Sequence, residues 1–137
     1  MPAAQVLVDA DNLDAPRLRL LAAALGAAPG ARVVVAGSPS AVGAVDWPAG
    51  AHLHEATGWQ GADLVLARAY RPDRGPLLLA TGDGDFVHLA RRHPGPVLLV
   101  SAGRARSQGF RGGPVQLTDP AEDGGERLRG WLAAAGA

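Results

Sequence analysis

Three short runs, RVVVA (32–36), PLLLA (76–80) and PVLLV (96–100), are apolar without alternation, and Gln5–Val8 (QVLV) continues the pattern near the start of the chain. A strand with one face in water alternates apolar and polar residues, whereas a strand covered on both faces does not. These runs therefore predict a central, mostly parallel sheet flanked by helices, a three-layer α/β fold.

The intervening segments supply the helices. Asp14 is placed to cap one, Pro16 stands in its first turn, and Leu18, Leu21 and Leu25 fall on one face before Pro29 and Gly30 end it. From Gly37 to Gly61 the signal weakens: Ser40–Val45 suits one or two helical turns and Ala51–Glu55 a short strand. Leu64–Tyr70 (LVLARAY) is readable as strand or helix, and Asp63 as a first-turn residue favours helix. Gly84–Arg92 reads as a helix, Ser101–Gly113 as a Gly- and Arg-rich loop, and Val115–Leu117 as an edge strand. Leu128, Trp131, Leu132 and Ala135 line a terminal helix over about 122–135. No repeat or linker interrupts the pattern, so all 137 residues form one expected domain.

The net charge is zero but unevenly spread: −3 over residues 1–63, +5 over 64–116 and −2 beyond. Every Lys/Arg position is arginine. Without cysteine there is no disulfide, thiolate nucleophile or sulfur-ligated metal. With no secretory pattern and no long apolar span, a cytoplasmic, non-membrane protein is expected.

Carboxylates gather after two of the expected strands: Asp9, Asp11 and Asn12 after the first, Thr81, Asp83 and Asp85 after PLLLA. Open parallel sheets bind ligands at the carboxyl ends of their strands. Like charges crowded there raise one another's proton affinity unless a cation intervenes, and an all-oxygen donor set suits Mg²⁺ or Mn²⁺. Asp63, in GAD (61–63), reads either as a helix-start cap or as a further ligand in the same crevice. Such a set favours metal-assisted phosphoryl transfer. Arg91 and Arg92 beyond the acidic loop, and Arg104, Arg106 and Arg111 in the Arg-rich loop, are candidates to hold backbone phosphates of RNA.

VDADN, GAD and TGDGDF, in this order and followed by a helix and PVLLVS, resemble the NYN domain family of PIN-like nucleases, which includes the LabA-like proteins. The resemblance covers about residues 5–117. It implies a Mg²⁺- or Mn²⁺-dependent ribonuclease with Asp9, Asp63, Asp83 and Asp85 as catalytic and metal-binding acids. Asn12 would hold the Asp9 loop or contact a water on the ion, and the Thr81 hydroxyl would orient a carboxylate or phosphate. Asp11 is a supporting residue, at a position where the family does not require an acid, and would cap a turn or face solvent.

The chain departs from that family in its short middle region and in Gln60, which stands where relatives often carry a basic residue. Two alternatives remain: a PIN-like adaptor that binds RNA or protein without cleaving, and a haloacid-dehalogenase-like phosphatase. The phosphatase chemistry normally needs a lysine, and this chain has none. His52, His54, His88 and His93 are expected at the surface and Trp47 in the core or an interface. A homodimer through the terminal helix is a further option.

Overall fold

The computed structural model describes residues 2–58, 61–81, 86–102 and 115–137. Six strands form one sheet: β1 (Gln5–Asp9), β2 (Arg32–Gly37), β3 (His52–Glu55), β4 (Leu77–Ala80), β5 (Val97–Val100) and β6 (Val115–Thr118). All neighbours pair in parallel, in the order β3-β2-β1-β4-β5-β6. The order reverses between β1 and β4, which makes the carboxyl end of that pair the switch point where such sheets open a crevice.

Helices cover both faces, and the strand alternation decides what each face holds. Even-numbered Val6, Val8, Leu78, Ala80, Leu98 and Val100 join Val33 and Val35 of β2 in one cluster. It packs beneath α1 (Ala15–Gly26), the short α2 (Pro39–Val42) and α6 (Glu126–Ala134). Leu18, Leu21 and Leu25 from α1, with Leu128 and Leu132 from α6, complete it. On the other face Leu7, Val34, Ala36, Leu77, Leu79, Val97 and Leu99 pack against Leu66 of α3 (Gly61–Ala69) and Ala90 of α4 (Val87–Arg92), with Phe86 beside them. Each fully buried Leu or Val stabilises the fold by about 1.5–3 kcal/mol before entropy is counted.

The segment 64–69 is helical, as its cap-like Asp63 suggested. The terminal helix begins at Glu126, preceded by the four-residue α5 (Pro120–Asp123). Gly124 and Gly125 between them adopt φ of 66° and 87°, a left-handed conformation that glycine takes without a Cβ clash. A bidentate ion pair fastens this region to the first helix: Arg17 Nε and Nη2 donate to Asp119 Oδ1 and Oδ2 at 2.8 and 2.9 Å.

The direction of α3 is fixed at its far end. Arg32, the first residue of β2, donates from Nη1 to the carbonyl of Ala69 at 3.0 Å. Gln5, the first residue of β1, donates to the Arg71 carbonyl at 2.6 Å and accepts from the Arg71 N–H at 2.9 Å. The C-terminus of α3 is thereby held at the amino edge of the sheet. Nine residues of helix span roughly 13 Å, close to the length of the strands beneath. Its first turn therefore stands at the carboxyl edge.

Candidate active site at the carboxyl edge

Asp9 ends β1 and is only 4% exposed. Its odd-numbered neighbours on the same side of the strand show where it faces: Gln5 binds the chain just after α3, and Leu7 packs with Leu66. Asp9 is next along that line, at the other end of α3. Asp63 lies in the first turn of α3, three residues before buried Leu66 and hence on the same helical face. Two carboxylates 54 positions apart in the chain thus share one face and one edge of the sheet.

The turn after β1 orients Asp9. The chain enters a 3-10 turn, Ala10–Asn12, for which Asp9 is the N-cap. Asp9 Oδ1 accepts from the Asp11 N–H at 3.2 Å, and Asp9 Oδ2 accepts from Asn12 Nδ2 at 2.6 Å. Asn12 therefore holds the Asp9 carboxylate, one of the two roles expected of it. A carboxylate presents about four lone-pair directions, so one braced in this way can also ligate a cation.

Thr81 follows β4 directly and is 2% exposed. Val8 pairs with Ala80, so Asp9 and Thr81 leave adjacent strands side by side, about 5 Å apart along the hydrogen-bonding direction. The sequence reading missed Ser101, which continues the row. Ala80 pairs with Val100, and Ser101, 3% exposed, follows. Its N–H donates to the Thr118 carbonyl at 3.0 Å. A polar residue after an apolar strand run was the available signal, since PVLLV is followed by Ser just as PLLLA is followed by Thr.

Two further acids near this edge, Asp11 and Asp14, have structural partners. Asp11 is exposed, and its carboxylate accepts from Ser38 Oγ at 2.7 Å and from the Ser38 N–H at 3.0 Å. It ties the β1 turn to the start of α2. Gly37 permits that approach, because a Cβ there would lie 3.1 Å from Ala10 Cβ and 3.4 Å from Asp11 Oδ2. Asp14 caps α1 by accepting from the Arg17 N–H at 3.0 Å, and it also pairs with the Arg17 guanidinium. The Asp119 hydrogen bond, opposed by some burial and reinforced by Asp14, drives the Arg17 pKa further above its usual value.

Asp83, Asp85, Arg104, Arg106 and Arg111 lie outside the described residues, as does Gln60. The arginines of α4 are described, and their position sets them apart from the acidic edge. Arg91 and Arg92 occupy the last turn of α4, next to His93. His93 Nε2 donates to the carbonyl of Gly75, just before β4, at 2.7 Å, so this end of α4 is at the amino edge. Arg91 and Arg92 are exposed there, about a strand length from Asp9.

His93 is itself a correction, being 5% exposed and structural instead of at the surface. A carbonyl can only accept, so Nε2 carries the proton and Nδ1 accepts from the Tyr70 hydroxyl at 2.8 Å. Burial, with the nearby Asp73 charge, raises the Tyr70 pKa. Trp47 packs against the core and donates from Nε1 to the Val42 carbonyl at 2.9 Å, as its core alternative required.

The donors at the edge are oxygen atoms of Asp9 and Asp63, with Thr81 beside them, a set suited to a hard cation such as Mg²⁺ or Mn²⁺. Among the described residues no cluster of three acidic, His or Cys ligands occurs; the other two expected ligands, Asp83 and Asp85, lie outside them. No described helix is long and apolar enough to cross a membrane. Comparison with protein-family models, curated proteins and solved structures finds no match to this chain.

Proposed function

We propose that this chain is a divalent-metal-dependent ribonuclease that hydrolyses phosphodiester bonds in RNA. The observation that carries the reading is Asp9, buried at the switch-point edge and braced by Asn12, with Asp63 in the first turn of the helix that packs over the same face. Burying a carboxylate is costly unless it is hydrogen-bonded or compensated by positive charge. The resemblance of VDADN, GAD and TGDGDF to NYN nucleases supplies the reaction class and adds Asp83 and Asp85 to the ligand set.

In this reading Asp9 and Asp63, with Asp83 and Asp85, would hold Mg²⁺ or Mn²⁺. Once bound, the ion lowers the pKa of water and neutralises charge developing on the phosphate. Asn12 keeps Asp9 in a ligating orientation, and the Thr81 hydroxyl orients a carboxylate or a phosphate oxygen. Asp11 acts at one remove, by bracing the turn against Ser38. Arg91, Arg92, Arg104, Arg106 and Arg111 remain proposed contacts to the RNA backbone.

The test is cleavage of labelled single-stranded RNA with Mn²⁺ or Mg²⁺ by wild type and Asp83→Asn, with folding checked by circular dichroism and thermal melting. Asn retains the shape but not the charge, so the variant should fold and lose most cleavage. Equal cleavage by both proteins removes Asp83 from the mechanism. Inactivity of metal-loaded wild type on diverse RNAs favours a binding protein without catalysis.

A further inference from the structure

The edge strand β3 and the outer side of α3 enclose a groove that the acidic site does not account for. It has a volume of about 430 Å³ and is lined by Arg32, His52, His54, Leu64, Val65 and Arg68, with Val34 and Ala69 at its base. His52 pairs with Val34 and His54 with Ala36, so both imidazoles face the α3 side of the sheet. Leu53 and Glu55 pair with Val35 and Gly37 and take the opposite parity. The groove lining consequently contains four basic side chains and no acid, although the chain as a whole is neutral.

We propose that this groove carries the RNA strand away from the acidic edge, binding a backbone phosphate and the base attached to it; the assignment rests on the ribonuclease reading above. The first reason is chemical. Arg68 and the imidazole N–H groups can donate to phosphate oxygens, and a neutral imidazole still supplies one donor. Arg32 already donates from Nη1 to the Ala69 carbonyl, but a guanidinium has five N–H donors. Leu64 is 53% exposed, and with Val65 it offers the apolar surface that a base covers without sequence preference.

The second reason is continuity. Leu64 directly follows Asp63, and Leu64, Val65 and Arg68 descend α3 from its first turn towards Arg32 at the amino edge. The drop from Leu64 to Arg68 is roughly 6 Å, so a strand cut beside Asp63 meets the groove within a nucleotide or two. Strand β3 supplies the opposite wall. Arg91 and Arg92 stand apart at the amino edge, at the end of α4, whereas this groove is a basic surface that adjoins the acidic edge.

The experiment measures binding and cutting separately. Fluorescence anisotropy with short single-stranded RNA, in EDTA to prevent cleavage, is run over a salt series. The proteins are wild type, Arg68→Glu, the pair His52→Ala and His54→Ala, and Asp9→Asn. Because Arg68, His52 and His54 are exposed, these variants should fold, and melting verifies it. Arg68→Glu should weaken binding at least tenfold and lower the salt slope by about 0.7, the value for one lost contact to single-stranded RNA. The histidine pair should weaken binding several-fold, and Asp9→Asn should bind as wild type does while failing to cut with Mn²⁺. Wild type that binds through the groove but never cuts would uphold the groove and remove the nuclease reading. Unchanged affinity and slope in folded Arg68→Glu, or no RNA binding by wild type, would overturn the groove. So would a concentration-dependent dimer, seen by sedimentation, that the same substitutions dissociate, since the groove would then belong to a second copy of the chain.

Discussion

Asn12 Nδ2 donates to Asp9 Oδ2 at 2.6 Å, across three residues of a turn that leaves Asp9 almost completely buried. The contact fixes which way the carboxylate faces, so Asn12 is a positioning residue for any ion held there. Asn12→Ala should fold normally and lower Mn²⁺-supported cleavage about 10–100-fold, the usual effect of removing a group that orients a metal ligand. Raising Mn²⁺ should restore part of the loss. A metal titration of cleavage checks this, and an unchanged titration curve would deny Asn12 the role.

Asp119 should matter to stability and not to chemistry. It closes a bidentate pair with Arg17 across 102 residues, and its side chain is far less exposed than that of Arg17. Asp119→Asn leaves the guanidinium against a neutral partner. Because Arg17 retains some solvent, the expected cost is about 1–3 kcal/mol, below that of breaking a fully buried pair. Urea unfolding measures it. Asp14→Asn is the milder contrast, since Asn caps a helix nearly as well as Asp. Both variants should cleave RNA at the wild-type rate when folded.

The Tyr70 and His93 contact gives a pH signature. Tyr70 has its pKa raised above the ordinary tyrosine value of 10.0 in the folded protein, chiefly by burial. Below that value the hydroxyl is protonated in both folded and unfolded chains, and the stability linked to this group is fully present. Above about pH 10 the unfolded chain loses its proton first, so stability declines until the folded pKa is passed. Tyr70→Phe should cost about 1 kcal/mol at neutral pH through the lost hydrogen bond to His93 Nδ1. It should also flatten the alkaline fall in unfolding free energy between pH 9 and 11, and an equally steep fall in the variant would assign that slope to other groups.

Leu66 connects packing to the site. It is 1% exposed, lies one turn below Asp63, and packs in the cluster containing Leu7. Leu66→Ala should destabilise the protein by about 2–5 kcal/mol. If α3 positions Asp63 as the fold indicates, residual folded protein should need more Mn²⁺ for cleavage. Thermal melting and a metal titration at low temperature separate the two effects.

The strands were legible because their apolar runs have the pattern of a buried parallel sheet, and Val6–Val8, Val33–Ala36, Leu77–Ala80 and Val97–Val100 are all in it. The aspartates were not equally legible. Asp14 was legible as a cap from its place before the α1 stripe, but composition cannot distinguish Asp9, held by Asn12, from Asp11, held by Ser38; those partners are set by the turn and by a distant segment. The position of Arg91 and Arg92 was available in principle. A helix that returns between parallel strands ends at the amino edge, so arginines in its last turn are remote from the carboxyl ends. His93 gave no such signal, because its burial depends on Tyr70 and Gly75, which meet it only after folding.

Asp9 at the end of β1 and Asp63 in the first turn of α3 are proposed to hold one divalent ion. The most direct test is Mn²⁺ binding followed by electron paramagnetic resonance, in which bound ion is lost from the free-ion signal. Wild type, Asp9→Asn, Asp63→Asn and the double variant are compared after folding is confirmed. Each single substitution should weaken binding at least tenfold, and the double should add little beyond the more damaging single, because the two carboxylates serve one ion. Wild-type Mn²⁺ affinity in folded Asp63→Asn would mean that Asp63 holds no ion with Asp9.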